Sequence, residues 1–169
     1  NGTGTLTLAG TQAQINAALA SLSYQGNLNF NGTDTLTVVS TDSNAVADTD
    51  TVTINVTSVN DAPVNTVPGA QTVNEDTALS ISGLSVTDVD GNLATTALTV
   101  GNGTVTVSLA GGATISAGAN GTGTLTLAGT QAQINAALAS LSYQGNLNFN
   151  GTDTLTVVST DSNAVADTD

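Results

Sequence analysis

TVTINVTSV, residues 51–59, alternates at period two, with Val52, Ile54 and Val56 on one face and Thr51, Thr53, Asn55 and Thr57 on the other. That is the pattern of a half-buried β-strand. Residues 104–109 do the same with Val105, Val107 and Leu109, residues 124–127 with Leu125 and Leu127, and residues 153–158 with Leu155 and Val157. Shorter runs at 79–81, 84–86 and 98–100 bring the set to seven or more strands. Asn-Gly, Gly-Asn and Gly-Gly pairs lie between them and tolerate the positive φ that tight hairpins need. The pattern predicts an all-β chain folded as an antiparallel β-sandwich.

One segment has a different period. TQAQINAALASL, residues 130–141, spaces Ile134, Leu138 and Leu141 at i, i+4 and i+7, and Thr130 with Gln133 forms a capping box. A helix of two to three turns is expected there as cover for the sandwich core, and again at residues 11–22. The recurrence belongs to a larger one: residues 1–50 return letter for letter as 120–169, a displacement of 119. Fifty identities without a gap make this a tandem-repeat chain with a period of 119 residues, the size of one domain.

Pro63, in VNDAPV at residues 59–64, withdraws an amide donor and marks a seam. Residues 1–61 then read as the C-terminal half of one repeat. Residues 62–169 read as a nearly complete second repeat lacking its last strand. Residues 62–119 have two identical candidate partners, and the expectation is that they pair with 120–169 rather than with 1–50.

Composition narrows the function. The chain has no Lys, Arg, His, Cys, Met or Trp, and 13 acidic residues give it a net charge of −13. Nothing in it neutralises phosphate, which excludes nucleic acid and anionic membrane surfaces as direct partners. Without His, Cys or Lys, Ser-His, Cys-His and Schiff-base chemistry are absent, so the chain is read as no enzyme. A hydrophobic content of 39% is too high for a disordered acidic tail. No stretch has the apolar length of a membrane span, and no signal peptide is expected in it. With no disulfides and no basic side chains, a divalent cation is the simplest partner for the carboxylates.

Three pieces, VNEDTALSISGLSVTDVDGN at 73–92, INAALASLSYQGNLNFNGTDTLTV at 134–157 and TVTINVTSVNDAPV at 51–64, together resemble the bacterial cadherin-like repeats of giant RTX-type surface adhesins. The resemblance implies a Greek-key, cadherin- or immunoglobulin-like sandwich, Ca2+ at domain junctions, and a secreted or cell-surface stalk of the kind found in biofilms. Residue by residue, it carries ligand roles to Asp88, Asp90 and Asn92 in DVDGN, to the single Glu75, to the linker pair Asn60 and Asp61, and to Asp161. Two carboxylates two residues apart in a loop also suit a hard cation that takes six to eight oxygens. Ser58 stands where the family has its first linker Asp, and the Asp-Arg-Glu element is missing, so one or two ions per junction are expected rather than three. Asp42, Asp48 and Asp50 are a second candidate cluster. Asp34 and Asp153 read as turn residues that bond amides.

Tyr24, Phe30, Tyr143 and Phe149 read as core residues, which leaves no aromatic platform for carbohydrate. The Asn-x-Thr triplets at Asn1, Asn31, Asn55, Asn102, Asn120 and Asn150 read as turn and strand residues of a bacterial protein. The function expected is a calcium-stiffened extender or adhesion module of a large extracellular tandem-repeat protein, its partners being neighbouring identical repeats, in cis or head-to-tail in trans. The rival is a subunit of a self-assembling filament or surface layer, joined when a strand like 51–58 is donated to residues 62–169.

Overall fold

The duplicated residues keep the same helix at their two places in the chain but differ in their strands. The computed structural model describes residues 4–169 and divides into two units, Asn1–Val59 and Asn60–Asp169.

Among its described residues unit 1 holds one helix, α1 (Gln12–Leu19), and one hairpin, β1 (Gly32–Thr41) with β2 (Ala47–Val56). The hairpin pairs over ten residues in antiparallel register, from Gly32 opposite Val56 to Thr41 opposite Ala47. Its turn closes with Ala45 at φ 62°, and Asp42 Oδ1 accepts the amides of Asn44 and Val46. No residue of α1 is buried.

Unit 2 is the sandwich. Its strands are β3 (Val64–Thr66), β4 (Ala78–Ser80), β5 (Ser85–Thr87), β6 (Leu93–Thr99), β7 (Gly103–Thr106), β8 (Thr114–Gly118), β9 (Thr124–Ala128), β10 (Ser142–Gly145), β11 (Thr156–Asp161) and β12 (Ala166–Thr168), with helix α2 (Gln131–Leu138) between β9 and β10. One sheet runs β12-β11-β6-β9-β8, a second β4-β10-β7, and β3 pairs with β5. Every pairing is antiparallel. Strands distant in sequence, such as β6 and β11, lie side by side, as a Greek-key sandwich requires. The all-β fold with one short helix per repeat, expected from the alternation, is the fold observed.

The core joins both sheets and the helix: Leu98, Leu125, Leu127 and Val157 from the larger sheet, Val105 from the smaller, and Ile134, Ala137 and Leu138 from α2. The capping box that starts α2 has both its bonds, Thr130 N–H to Gln133 Oε1 at 2.8 Å and Gln133 N–H to Thr130 Oγ1 at 3.3 Å. Among the described residues every buried side-chain polar atom has a hydrogen-bond partner. Thr96 and Ser159 hydroxyls meet at 3.0 Å, Ser159 donates to Asn65 Oδ1 at 2.5 Å, and Asn65 N–H donates to Asp167 at 2.7 Å. This ladder anchors β3 on the large sheet. A bulge between Ile115 and Ala117 turns β8 at Gly118, whose φ of +70° and 2.1 Å approach of an added Cβ to the Thr124 carbonyl admit no side chain.

Some expectations shift. The strand read at 153–158 spans Gly32–Thr41 in its unit 1 copy but starts only at Thr156 in unit 2. Residues 124–128 and 142–145 are strands in unit 2, whereas 5–9 and 23–26, the same letters, are not. The partners of β9 are β6 and β8 and those of β10 are β4 and β7, all drawn from residues 78–118. Tyr143 packs against the core, but Tyr24 is exposed, and Phe30 with it, so only one copy of that aromatic pair is covered. Among the described residues no helix is long and apolar enough to cross a membrane.

Candidate functional site

Two tight loops meet at one end of unit 2. In the first, Asp88 Oδ1 accepts the amides of Asp90, Gly91 and Asn92 at 3.0, 3.0 and 3.5 Å, a local turn in which Gly91 has φ +69°. In the second, Asp161 Oδ1 accepts the amides of Asn163 and Val165 at 2.9 and 2.8 Å. The loops are neighbours because Leu93, at the start of β6, pairs with Asp161, at the end of β11. Both carboxylates are buried, Asp88 at 8% and Asp161 at 3% exposure. No cation of the chain answers them, since it has no Lys, Arg or His.

Asn60 ties the loops together. Its amide donates to Asp161 Oδ2 at 2.6 Å, and its Oδ1 accepts from the Asn163 amide at 2.5 Å. Asp61 N–H donates to Asp90 Oδ2 at 2.7 Å. The Asn60 bond, opposed by burial and helped by the amides of Val165 and Asn163, holds the Asp161 carboxyl below its usual range.

Asn92 stands between Asp88 and Asn60. Its carboxamide lies 3.0 and 3.1 Å from the two Asp88 oxygens on one side and 2.7 Å from Asn60 Oδ1 on the other. One amide nitrogen cannot serve both sides. If it faces Asn60, the Asn92 oxygen lies against the Asp88 carboxylate. If it faces Asp88, oxygen meets oxygen at Asn60, whose own nitrogen is committed to Asp161. A row of carboxylate, carboxamide, carboxamide, carboxylate has three contacts and only two amide groups to fill them, so one contact always sets oxygen against oxygen.

Asn60, Asp61, Asp88, Asp90, Asn92 and Asp161 are thus brought together, and Asn163 joins them. Asn163 went unread in the sequence, although Asp161-Ser162-Asn163 repeats the Asp-x-Asp/Asn spacing of Asp88 and Asp90. Glu75 is elsewhere. Neighbouring Asp76 accepts the Asn148 amide at 2.8 Å, and Glu75 lines a cavity with Tyr143 and Asp153. Asp153 precedes β11 at its Thr156 end, whereas Asp161 closes the other end of the strand, about 17 Å away at ~3.3 Å per residue.

Asp42, Asp48 and Asp50 form no cluster either. Asp42 bonds its own turn and Asp48 bonds the next amide, of Thr49. Among the described residues no group of three or more acidic side chains is placed to hold a metal by itself. Asp153 has the role read for it, accepting from Gly101, Asn102 and Thr154 amides and from the Tyr143 hydroxyl at 2.9 Å. Burial pushes its carboxyl up, and those bonds outweigh it and hold it below the usual range.

The site is therefore an oxygen-rich junction of two loops on an all-β sandwich. The family model of the Protein GAMETE EXPRESSED 2 domain matches residues 1–51 and 76–169. The chain belongs to that family. This corrects the resemblance to bacterial cadherin-like repeats of RTX-type adhesins, and with it the bacterial adhesin and biofilm assignments. The pieces that carried the resemblance are strands, a capped helix and Asp-rich turns, which turn chemistry alone favours. The reading of the Asn-x-Thr triplets as those of a bacterial protein loses its ground too. In the structure the Asn120 carboxamide accepts from and donates to the Val107 backbone at 2.9 and 3.0 Å, and Asn1 lies outside the described residues. No curated protein matches the chain.

Proposed function

We propose that the chain is a structural spacer module of an extracellular tandem-repeat protein, and that Ca2+ locks the segment at Asn60 and Asp61 onto the end of the sandwich. The observation that carries this is the unresolved oxygen-to-oxygen contact in the row Asp88, Asn92, Asn60, Asp161. A cation relieves it, since Ca2+ accepts carboxylate and carboxamide oxygens together and tolerates irregular shells. The residues that would hold it are Asp88, Asn92, Asn60 and Asp161, with Asp90 beside them. When bound, the ion supplies the positive charge that the sequence lacks. Binding at the 10⁻⁴–10⁻³ M typical of extracellular modules makes the lock open inside a cell and closed outside it.

Calorimetric titration of Ca2+ into the whole chain tests the reading. One ion per chain should bind, Asn92→Ala should abolish binding, and Asp34→Ala should leave it unchanged. No binding up to about 10 mM, well above that affinity range, would refute the calcium lock while leaving the spacer reading to the fold.

A second reading, assembly by strand donation, is supported by a separate observation. Unit 2 has an open cavity of about 800 Å³ lined in part by Leu79, Ile81, Leu84, Val100, Leu155 and Val157. Residues 151–155 beside it lack the strand partner that their copies Gly32–Leu36 have in Val52–Val56 of β2. A peptide of residues 51–60 added to the chain should raise its melting temperature if that groove accepts a strand. An unchanged melt would remove this reading.

A further inference from the structure

Unit 1 carries an apolar face whose complement can be read from unit 2. Leu6, Leu19 and Leu22 are 46%, 38% and 47% exposed. Their letter-identical counterparts Leu125, Leu138 and Leu141 are 1%, 0% and 0% exposed. The counterparts sit in one core with Val86, Val105 and Val107, β9 lies between β6 and β8, and β10 lies between β4 and β7. Asn135 of α2 also brackets the Val86 backbone, accepting its N–H and donating to its carbonyl, both at 2.8 Å. All of these partners lie within residues 60–119. Unit 1 repeats the receiving surface in full, since residues 4–41 repeat 123–160 without a change.

We infer that the apolar face of unit 1 is a docking site for residues 60–119 of a second copy of this chain. The docked segment would rebuild around unit 1 the sandwich seen in unit 2: residues 5–9 would become a strand between copies of β6 and β8, and residues 23–26 a strand between copies of β4 and β7. The competitor for each such segment is its own 120–169, which offers identical contacts and is joined covalently. Linked partners meet at an effective concentration of about millimolar for short connections. In dilute solution the face of unit 1 therefore stays open, and it fills when a 60–119 segment arrives without a 120–169 of its own or when chains are crowded to that level. This inference rests on the repeat alone and does not depend on calcium.

The test titrates a separate polypeptide of residues 60–119 into the whole chain, followed by calorimetry and sedimentation. Binding of one segment per chain is expected. Leu19→Asp should weaken it by about a hundredfold or more, because the carboxylate would be buried without a partner. Val46→Asp, in the exposed hairpin turn, should leave it unchanged. Should the free segment aggregate, a chain with an additional 60–119 placed directly ahead of Asn1 serves instead. The added join is native, since Ala119 is followed by the same Asn in both places, and the calorimetric melting enthalpy should rise to about twice that of the original chain. The inference is overturned by any of four results: no binding, equal binding of a scrambled segment, binding that survives Leu19→Asp, or an unchanged melting enthalpy in the extended chain. It is equally overturned if the chain dimerises in dilute solution through unit 1 faces and the 60–119 segment does not dissociate it.

Discussion

Leu19 and Leu138 occupy the same position in two helices of identical sequence, and Leu19 is 38% exposed where Leu138 is fully buried. Both helices carry the complete capping box. Local chemistry thus specifies the helix in either place, while burial depends on residues 60–119. The chain holds its own control for how much of a fold is local.

Leu138→Ala should destabilise unit 2 by about 2–5 kcal/mol, the range for emptying a well-packed leucine site. Leu19→Ala should cost within about 1 kcal/mol, as at other surface positions. Urea unfolding of the two single variants checks this. Equal losses would mean that unit 1 buries its leucine in solution.

Proteolysis should separate the copies as well. Trypsin has no site, because the chain contains no Lys or Arg. Chymotrypsin should cut first at Tyr24 and Leu28, which are exposed, and leave Tyr143, packed against the core, intact. Mass spectrometry of the early fragments should show unit 2 released whole. Early cleavage at Tyr143 would contradict the burial difference.

Acid should weaken unit 2 through Asp161 and Asp153, whose carboxyls are both held below the ordinary value of 3.8. A depressed folded-state value favours the native state above the unfolded value. That contribution is lost as pH falls through the lower, folded-state one. Urea midpoints should therefore be flat from neutral pH to about 5 and fall below about 4. Asp161→Asn should flatten part of that fall. Tyr143 behaves in the opposite sense: burial and the Asp153 carboxylate raise its hydroxyl above 10.0, so its contribution is lost as pH rises beyond that value, and Tyr143→Phe should remove that alkaline dependence.

Much of this was legible in the sequence. Alternation around Val105, Leu125 and Val157 marked strands because each faces a core on one side only. Thr130 and Gln133 marked the helix start because a capping box is complete within four residues. Strand β10 was missed because SYQG, residues 142–145, has no apolar alternation, and its pairing is imposed by β4 and β7. Asn65 was missed because its partners Ser159 and Asp167 are about a hundred residues away. Within the candidate site, Asp88, Asp90 and Asn92 were legible as one loop. Glu75 was misplaced because nothing local says which end of β11 a loop will reach.

Whether Ca2+ relieves the oxygen contact among Asp88, Asn92, Asn60 and Asp161 is read from the melting temperature of the whole chain with calcium and with a chelator. At a hundredfold excess over the dissociation constant, a ligand confined to the folded state stabilises it by about 2.7 kcal/mol. For a domain of this size that is a rise of roughly 10 °C. That rise is expected for the native chain and should disappear in Asn92→Ala. Identical melting of the native chain in calcium and in chelator would contradict the calcium lock.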